Sequence, residues 1–132
     1  MGGAAADHAH VVLVVDDYED TRDALQALLH MERFWVETAA SGHEALDMLQ
    51  AGLRPCIVLL DLRMPGMSGW DVFARMQEHA ELRHTAVVIL SGEPADEVRA
   101  RRVGICEFLR KPTDKETLIA AIERHCKRRG SR

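Results

Sequence analysis

A chain of 132 residues suits one domain with a single core. Its hydrophobic share of 47% and charged share of 29% are ordinary for a globular protein. No apolar run is long enough to span a bilayer, so no membrane insertion is expected; the net charge of −4 gives no reason to expect a nucleic-acid partner.

The opening, MGGAAADHAH, lacks the basic and apolar regions of a secretory signal and reads as a leader over 1–9. Its His8-x-His10 pair reads as part of a solvated tail rather than a transition-metal site. The apolar run 11–15 predicts a first strand, and Ala24, Leu25, Leu28 and Leu29 recur at helical spacing after it. A weaker run, 34–38, mixes Phe, Trp, Val, Glu and Thr and is expected at a sheet edge. Ser41 with Glu44 has the form of a capping box opening a helix that carries Ala45, Leu46 and Leu49, with Gly52 as its stop.

A strand over 56–60 comes next, then Ser68 with Asp71 opening a helix that turns Val72, Phe73 and Met76 inward. The run 86–90 is a fourth strand; Pro94 fits the first turn of a helix ended by Gly104. The run 106–109 is a fifth, and Thr113 with Glu116 is expected to cap a last helix bearing Leu118, Ile119 and Ile122.

The strong runs are rich in Val, Ile and Leu without clean alternation, as befits parallel strands buried on both faces. Five β-α repeats with short loops predict an α/β fold: a doubly wound five-stranded parallel sheet with five helices over 10–128, then a short basic tail at 129–132. Lys127, Arg128, Arg129 and Arg132 read as a solvated helix terminus. Cys56, Cys106 and Cys126 show no CxxC spacing; two lie within or beside apolar runs as small hydrophobes, and a reducing cytoplasm fits them best.

The strands end on polar residues that propensity does not ask for: Asp16-Asp17, Asp61, Ser91 and Arg110-Lys111. In a parallel sheet these C-terminal ends share the edge where open α/β folds place their ligands. Three carboxylates there raise one another's pKa unless a cation joins them, and Mg2+, a hard oxygen-binding ion, is the natural partner. A lysine and a hydroxyl beside it suit phosphoryl oxygens. Neither GxGxxG nor GxxxxGK[ST] follows the first strand, and a phosphatase with an Asp-x-Asp pair would need an acid where Arg63 stands.

The stretches VVLVVDD, IVLLDLRMPGMSGWD, VVILSGE and CEFLRKP, in this order, resemble the receiver domains of bacterial two-component response regulators. The resemblance implies a flavodoxin-like strand order 2-1-3-4-5. It implies that Asp61 takes a phosphoryl group from the phosphohistidine of a histidine kinase, with Asp17 a direct Mg2+ ligand, Asp16 acting through water and Arg63 lending its backbone carbonyl. Lys111 would pair with a phosphoryl oxygen, Ser91 would be the switch hydroxyl and Phe108 the switch aromatic, and the Lys111–Pro112 bond would be cis. Phe108 is equally a plain core residue, and Arg63 and Glu93 would tune the phosphoryl lifetime or form a solvated surface pair.

A cytoplasmic signalling module is therefore expected, an enzyme only toward its own phosphoryl group. A downstream protein target would bind the face made by the fourth helix, fifth strand and fifth helix. A phosphorelay intermediate, the receiver part of a larger hybrid kinase or regulator, an enzyme on small phosphate compounds and a pseudo-receiver are the alternatives. A homodimer through the fourth and fifth helices, rimmed by Arg99, Arg101, Arg102 and Arg110, is also open.

Overall fold

A computed structural model describes residues 11–105 and 107–128; the leader, the tail from 129, His10 and Cys106 lie outside the described residues. Five strands, β1 (Val11–Val15), β2 (Trp35–Ala39), β3 (Ile57–Asp61), β4 (Ala86–Ser91) and β5 (Glu107–Arg110), alternate with five helices. The helices are α1 (Glu19–Met31), α2 (Gly42–Gln50), α3 (Gly69–Gln77), α4 (Pro94–Val103) and α5 (Lys115–Glu123). The sheet is parallel throughout with order β2-β1-β3-β4-β5, as expected.

Side chains of a strand point alternately to its two faces, and here both faces are covered. Leu13, Val15, Val58, Leu60, Val87 and Ile89 pack with Leu46, Leu49, Val72, Met76 and Ala100 from α2, α3 and α4. Val12, Val14, Ile57, Leu59, Val88 and Leu90 pack with Leu29, Leu118, Ile119 and Ile122 from α1 and α5. This is why the runs are apolar without alternation. β2 lies at one edge, with Glu37 exposed, as its mixed composition predicts.

Several local expectations shift. β2, β3 and β5 begin and end one residue later than the apolar runs 34–38, 56–60 and 106–109 suggest, and β4 runs one residue longer. Asp61 and Ser91 are the last residues of their strands, as expected. Ser68 and Asp71 form a complete capping box. At α2 the box is offset: Ser41 accepts the Glu44 N–H at 3.0 Å, but the Glu44 carboxylate accepts from Ala40 instead of Ser41. The expected Thr113 cap is corrected. Asp114 occupies the N-cap of α5, because the Thr113 hydroxyl donates to the Arg110 carbonyl at 2.6 Å and closes the preceding turn. Pro94 sits at the start of α4, and Gly104 ends it in the left-handed conformation at φ 89°.

Two further expectations, for the cysteines and for the basic end, are also corrected. Cys56 and Cys126 are joined by a disulfide, their Cα atoms 5.5 Å apart across 70 residues, rather than being independent small hydrophobes. The first precedes β3 and the second follows α5, and both pack into the core layer beneath α5. Arg128 is not a solvated terminal cation: it pairs with Glu32 at 3.4 Å and Glu123 at 2.8 Å, and its guanidinium lies 5.6 Å from the Phe34 ring centre. Among the described residues no helix is long and apolar enough to cross a membrane.

Candidate functional site

The sheet brings the polar strand ends together. β1 and β3 are neighbours, paired as far as Val15 with Leu60, so Asp16 and Asp61 follow one step further along adjacent strands. Asp16, Asp17 and Asp61 each offer a carboxylate oxygen, and these lie within 4.8 Å of one another. Asp16 and Asp61 are buried and Asp17 is exposed. Burial pushes the Asp16 carboxyl above its ordinary range; the charges of Asp61 and Asp17 push the same way, against the Tyr18 backbone N–H and Lys111. That N–H donates to Asp16 Oδ1 at 2.9 Å.

Lys111, directly after β5, places Nζ 3.2 Å from Asp61 Oδ1. The Arg63 backbone N–H approaches the same oxygen at 3.4 Å. Three clustered carboxylates against one ammonium leave excess negative charge in a largely buried place. The donor set, all oxygen and open to solvent on the Asp17 side, fits a hard divalent cation such as Mg2+.

At the end of β4, Ser91 is 2% exposed. Its hydroxyl donates to Asp96 Oδ2 at 2.6 Å and accepts the Glu93 N–H at 3.1 Å. Its carbonyl accepts the Lys111 N–H at 2.8 Å, locking the ends of β4 and β5 together. The Arg63 guanidinium donates to the same Asp96 oxygen at 2.6 Å. Glu93 meets Ser91 through its backbone and is otherwise exposed at the N-cap of α4. Phe108, paired in register with Ile89, is half-buried and packs against the core layer that contains Ala100 of α4. The Lys111–Pro112 bond is cis, as expected.

The geometry thus gathers Asp16, Asp17, Asp61 and Lys111 into one cluster, with Ser91 beside it. It turns the Arg63 side chain to the first turn of α4. Asp96 was missed: an acid in the first turn of a helix, after Glu93-Pro94-Ala95, is accounted for by the helix dipole alone. Its place five residues after a strand-end serine was the available signal.

The profile described as the response regulator receiver domain matches residues 12–123. The chain belongs to that family. This receiver domain is 37% identical over 113 residues to the response regulator PleD of Caulobacter vibrioides, covering 84% of this chain and 25% of PleD. It therefore spans about a quarter of that relative's length. It resembles the solved chemotaxis protein CheY4 of Vibrio cholerae with a TM-score of 0.80 at 30% identity, covering 88% of this chain and 98% of that one. The response regulator TrrA of Thermotoga maritima, solved in complex with Mg(2+)-BeF, matches with a TM-score of 0.78 at 25% identity, over 87% of this chain and 97% of that one.

Proposed function

We propose that this receiver domain is a phosphorylation switch in which Asp61 accepts a phosphoryl group from the phosphohistidine of a partner histidine kinase. The carrying observation is the Asp61 carboxylate held 3.2 Å from Lys111 Nζ inside a three-carboxylate cluster. An ionised Asp61 needs no general base. An Asp61 oxygen bonds to phosphorus as the histidine N–P bond breaks, and the ring nitrogen keeps the electron pair of that bond. Lys111, already aimed at Asp61, holds positive charge where phosphoryl oxygens arrive. Asp61, Asp17 directly, Asp16 through water and the Arg63 backbone carbonyl would hold Mg2+. When bound, that ion offsets the repulsion between the carboxylates and the incoming phosphoryl oxygens.

Once Asp61 is phosphorylated, Ser91 gains a new acceptor for its hydroxyl proton. Its movement toward Asp61 frees space for Phe108 and reshapes the face of α4, β5 and α5, where a downstream protein would bind. That shift is as large as the difference in phosphoryl affinity between the two arrangements. The domain turns over no separate substrate; it catalyses its own phosphotransfer and dephosphorylation, with Arg63 and Glu93 setting the lifetime. A cytoplasmic location rests on family membership, since the Cys56–Cys126 bond removes the argument from cysteine usage. The PleD match supports a second reading, a receiver within a longer regulator.

Acetyl phosphate with Mg2+ should add one phosphoryl group per chain by intact-mass measurement, and Asp61→Asn should add none. Sustained turnover of small phosphoesters without labelling would overturn the proposal in favour of an enzyme.

A further inference from the structure

The buried polar residues among those described are Asp16, Asp61, Ser91 and Asp96. The first three belong to the cluster at the strand ends or adjoin it. Asp96 comes from a different element, the first turn of α4, and a buried carboxylate is costly unless its oxygens are satisfied. Both of its identified partners are side chains of the switch: the Ser91 hydroxyl and the Arg63 guanidinium, each 2.6 Å from Oδ2. Apart from Asp96, α4 buries only Ala100, so the end of the helix nearest the site is fastened by these polar contacts.

A serine hydroxyl has one proton to donate. While Ser91 gives it to Asp96, it has none for a phosphoryl oxygen on Asp61. The guanidinium of Arg63 is engaged on the same carboxylate and is drawn toward α4. We infer that Asp96 is a positioning residue of the switch: its carboxylate holds Ser91 and Arg63 in the resting arrangement and competes with the Asp61 phosphoryl group for both. Phosphorylation then has to outbid a charge-assisted hydrogen bond before Ser91 can move. Losing that bond also loosens the start of α4. Asp96 acts through Ser91 and Arg63, and the inference rests on Asp61 being the phosphoryl acceptor.

The test uses Mg2+ with beryllofluoride, a stand-in for the phosphoryl group, and measures binding by calorimetry on the full chain. Asp96→Ala should bind beryllofluoride about tenfold tighter than the unmodified protein, the size of a net hydrogen bond to a charged group. Its affinity for Mg2+ alone should not change, a split that a merely structural role would not produce. Asp96→Glu should return toward the unmodified value, and in a Ser91→Ala background the gain from Asp96→Ala should shrink. Asp96→Asn keeps the side-chain shape and removes the charge. It should show a smaller gain in the same direction, and it decides the matter if Asp96→Ala does not fold. Unchanged or weaker beryllofluoride binding in these variants, or an equal gain with Ser91→Ala, would overturn the inference while leaving Asp61 as acceptor. Failure of the unmodified protein to bind beryllofluoride and to be labelled by acetyl phosphate would overturn both.

Discussion

Gly69 opens α3 directly against the end of β3. A Cβ built on it would lie 2.7 Å from the Asp61 carbonyl oxygen, 2.8 Å from Leu62 Cδ2 and 3.0 Å from Leu62 Cα. Two of those three atoms are backbone, so a swing of the Leu62 side chain alone would not relieve the clash. Overpacking of this kind costs about 1–3 kcal/mol. Alanine recovers some chain entropy relative to glycine, up to about 1 kcal/mol. A mid-range strain of about 2 kcal/mol less up to about 1 kcal/mol leaves Gly69→Ala about 1–2 kcal/mol less stable, or roughly 3–10 °C lower in Tm for a domain of this size. Because the strain falls on the main chain of Asp61, labelling by acetyl phosphate should also slow. Gly92→Ala is the matched control: nothing lies within 4 Å of its added Cβ, and its stability should stay within about 0.5 kcal/mol. Urea unfolding of the two variants beside the unmodified protein measures the difference. Equal stability of Gly69→Ala and Gly92→Ala would refute the close approach of α3 to Asp61.

Asp16→Asn removes a carboxylate that burial and its neighbours disfavour, so without divalent ions its Tm should rise while Mg2+ affinity falls; a lower Tm would contradict the crowding of the cluster. In the unmodified protein, Mg2+ at ten times its Kd should add about 1.4 kcal/mol of stability. The Glu32 carboxyl is held below its usual range chiefly by a hydrogen bond from Lys115, whose own pKa is raised in return. Glu32 therefore contributes stability above its unfolded pKa near 4.5 that is lost as pH falls through its lower folded value. Glu32→Gln should flatten this acid limb in urea midpoints measured against pH; an identical acid limb would remove the pair from the account. Reducing the Cys56–Cys126 bond, which closes 70 residues, should cost about 4 kcal/mol on a chain-entropy model. Dithiothreitol should lower the urea midpoint of the unmodified protein and leave Cys126→Ser unmoved; equal responses would contradict the bond.

The sheet was legible because three of its runs, 11–15, 56–60 and 86–90, are apolar on both faces, a pattern that only covered parallel strands require, whereas the run that gives β5 carries Glu107 and lies at the other sheet edge. The cluster was legible because Asp16, Asp17, Asp61 and Lys111 each stand where an apolar strand ends, and topology alone puts those ends on one edge. Contacts made by folding rather than by local pattern were not legible. Asp96 passes for an ordinary helix-start acid until Ser91 and Arg63 are seen on its carboxylate. Cys56 and Cys126 stand 70 residues apart and are joined by the packing of α5 beneath β3. Thr113 has the residue type and spacing of a cap, yet its hydroxyl is taken by the Arg110 carbonyl. The end of α1 carries no glycine, and Arg33 adopts the left-handed φ of 72° there. Propensity argues against that conformation in a non-glycine residue.

The central claim is that Asp61, not a neighbouring acid, carries the phosphoryl group. Borohydride reduction of the acetyl-phosphate-treated protein converts an acyl phosphate to an alcohol, which peptide mass spectrometry then locates. The account predicts homoserine at position 61 only, dependent on Mg2+ and much reduced in Lys111→Ala. Modification at Asp16, Asp17 or Asp96, or none at any site with Mg2+ present, would contradict it.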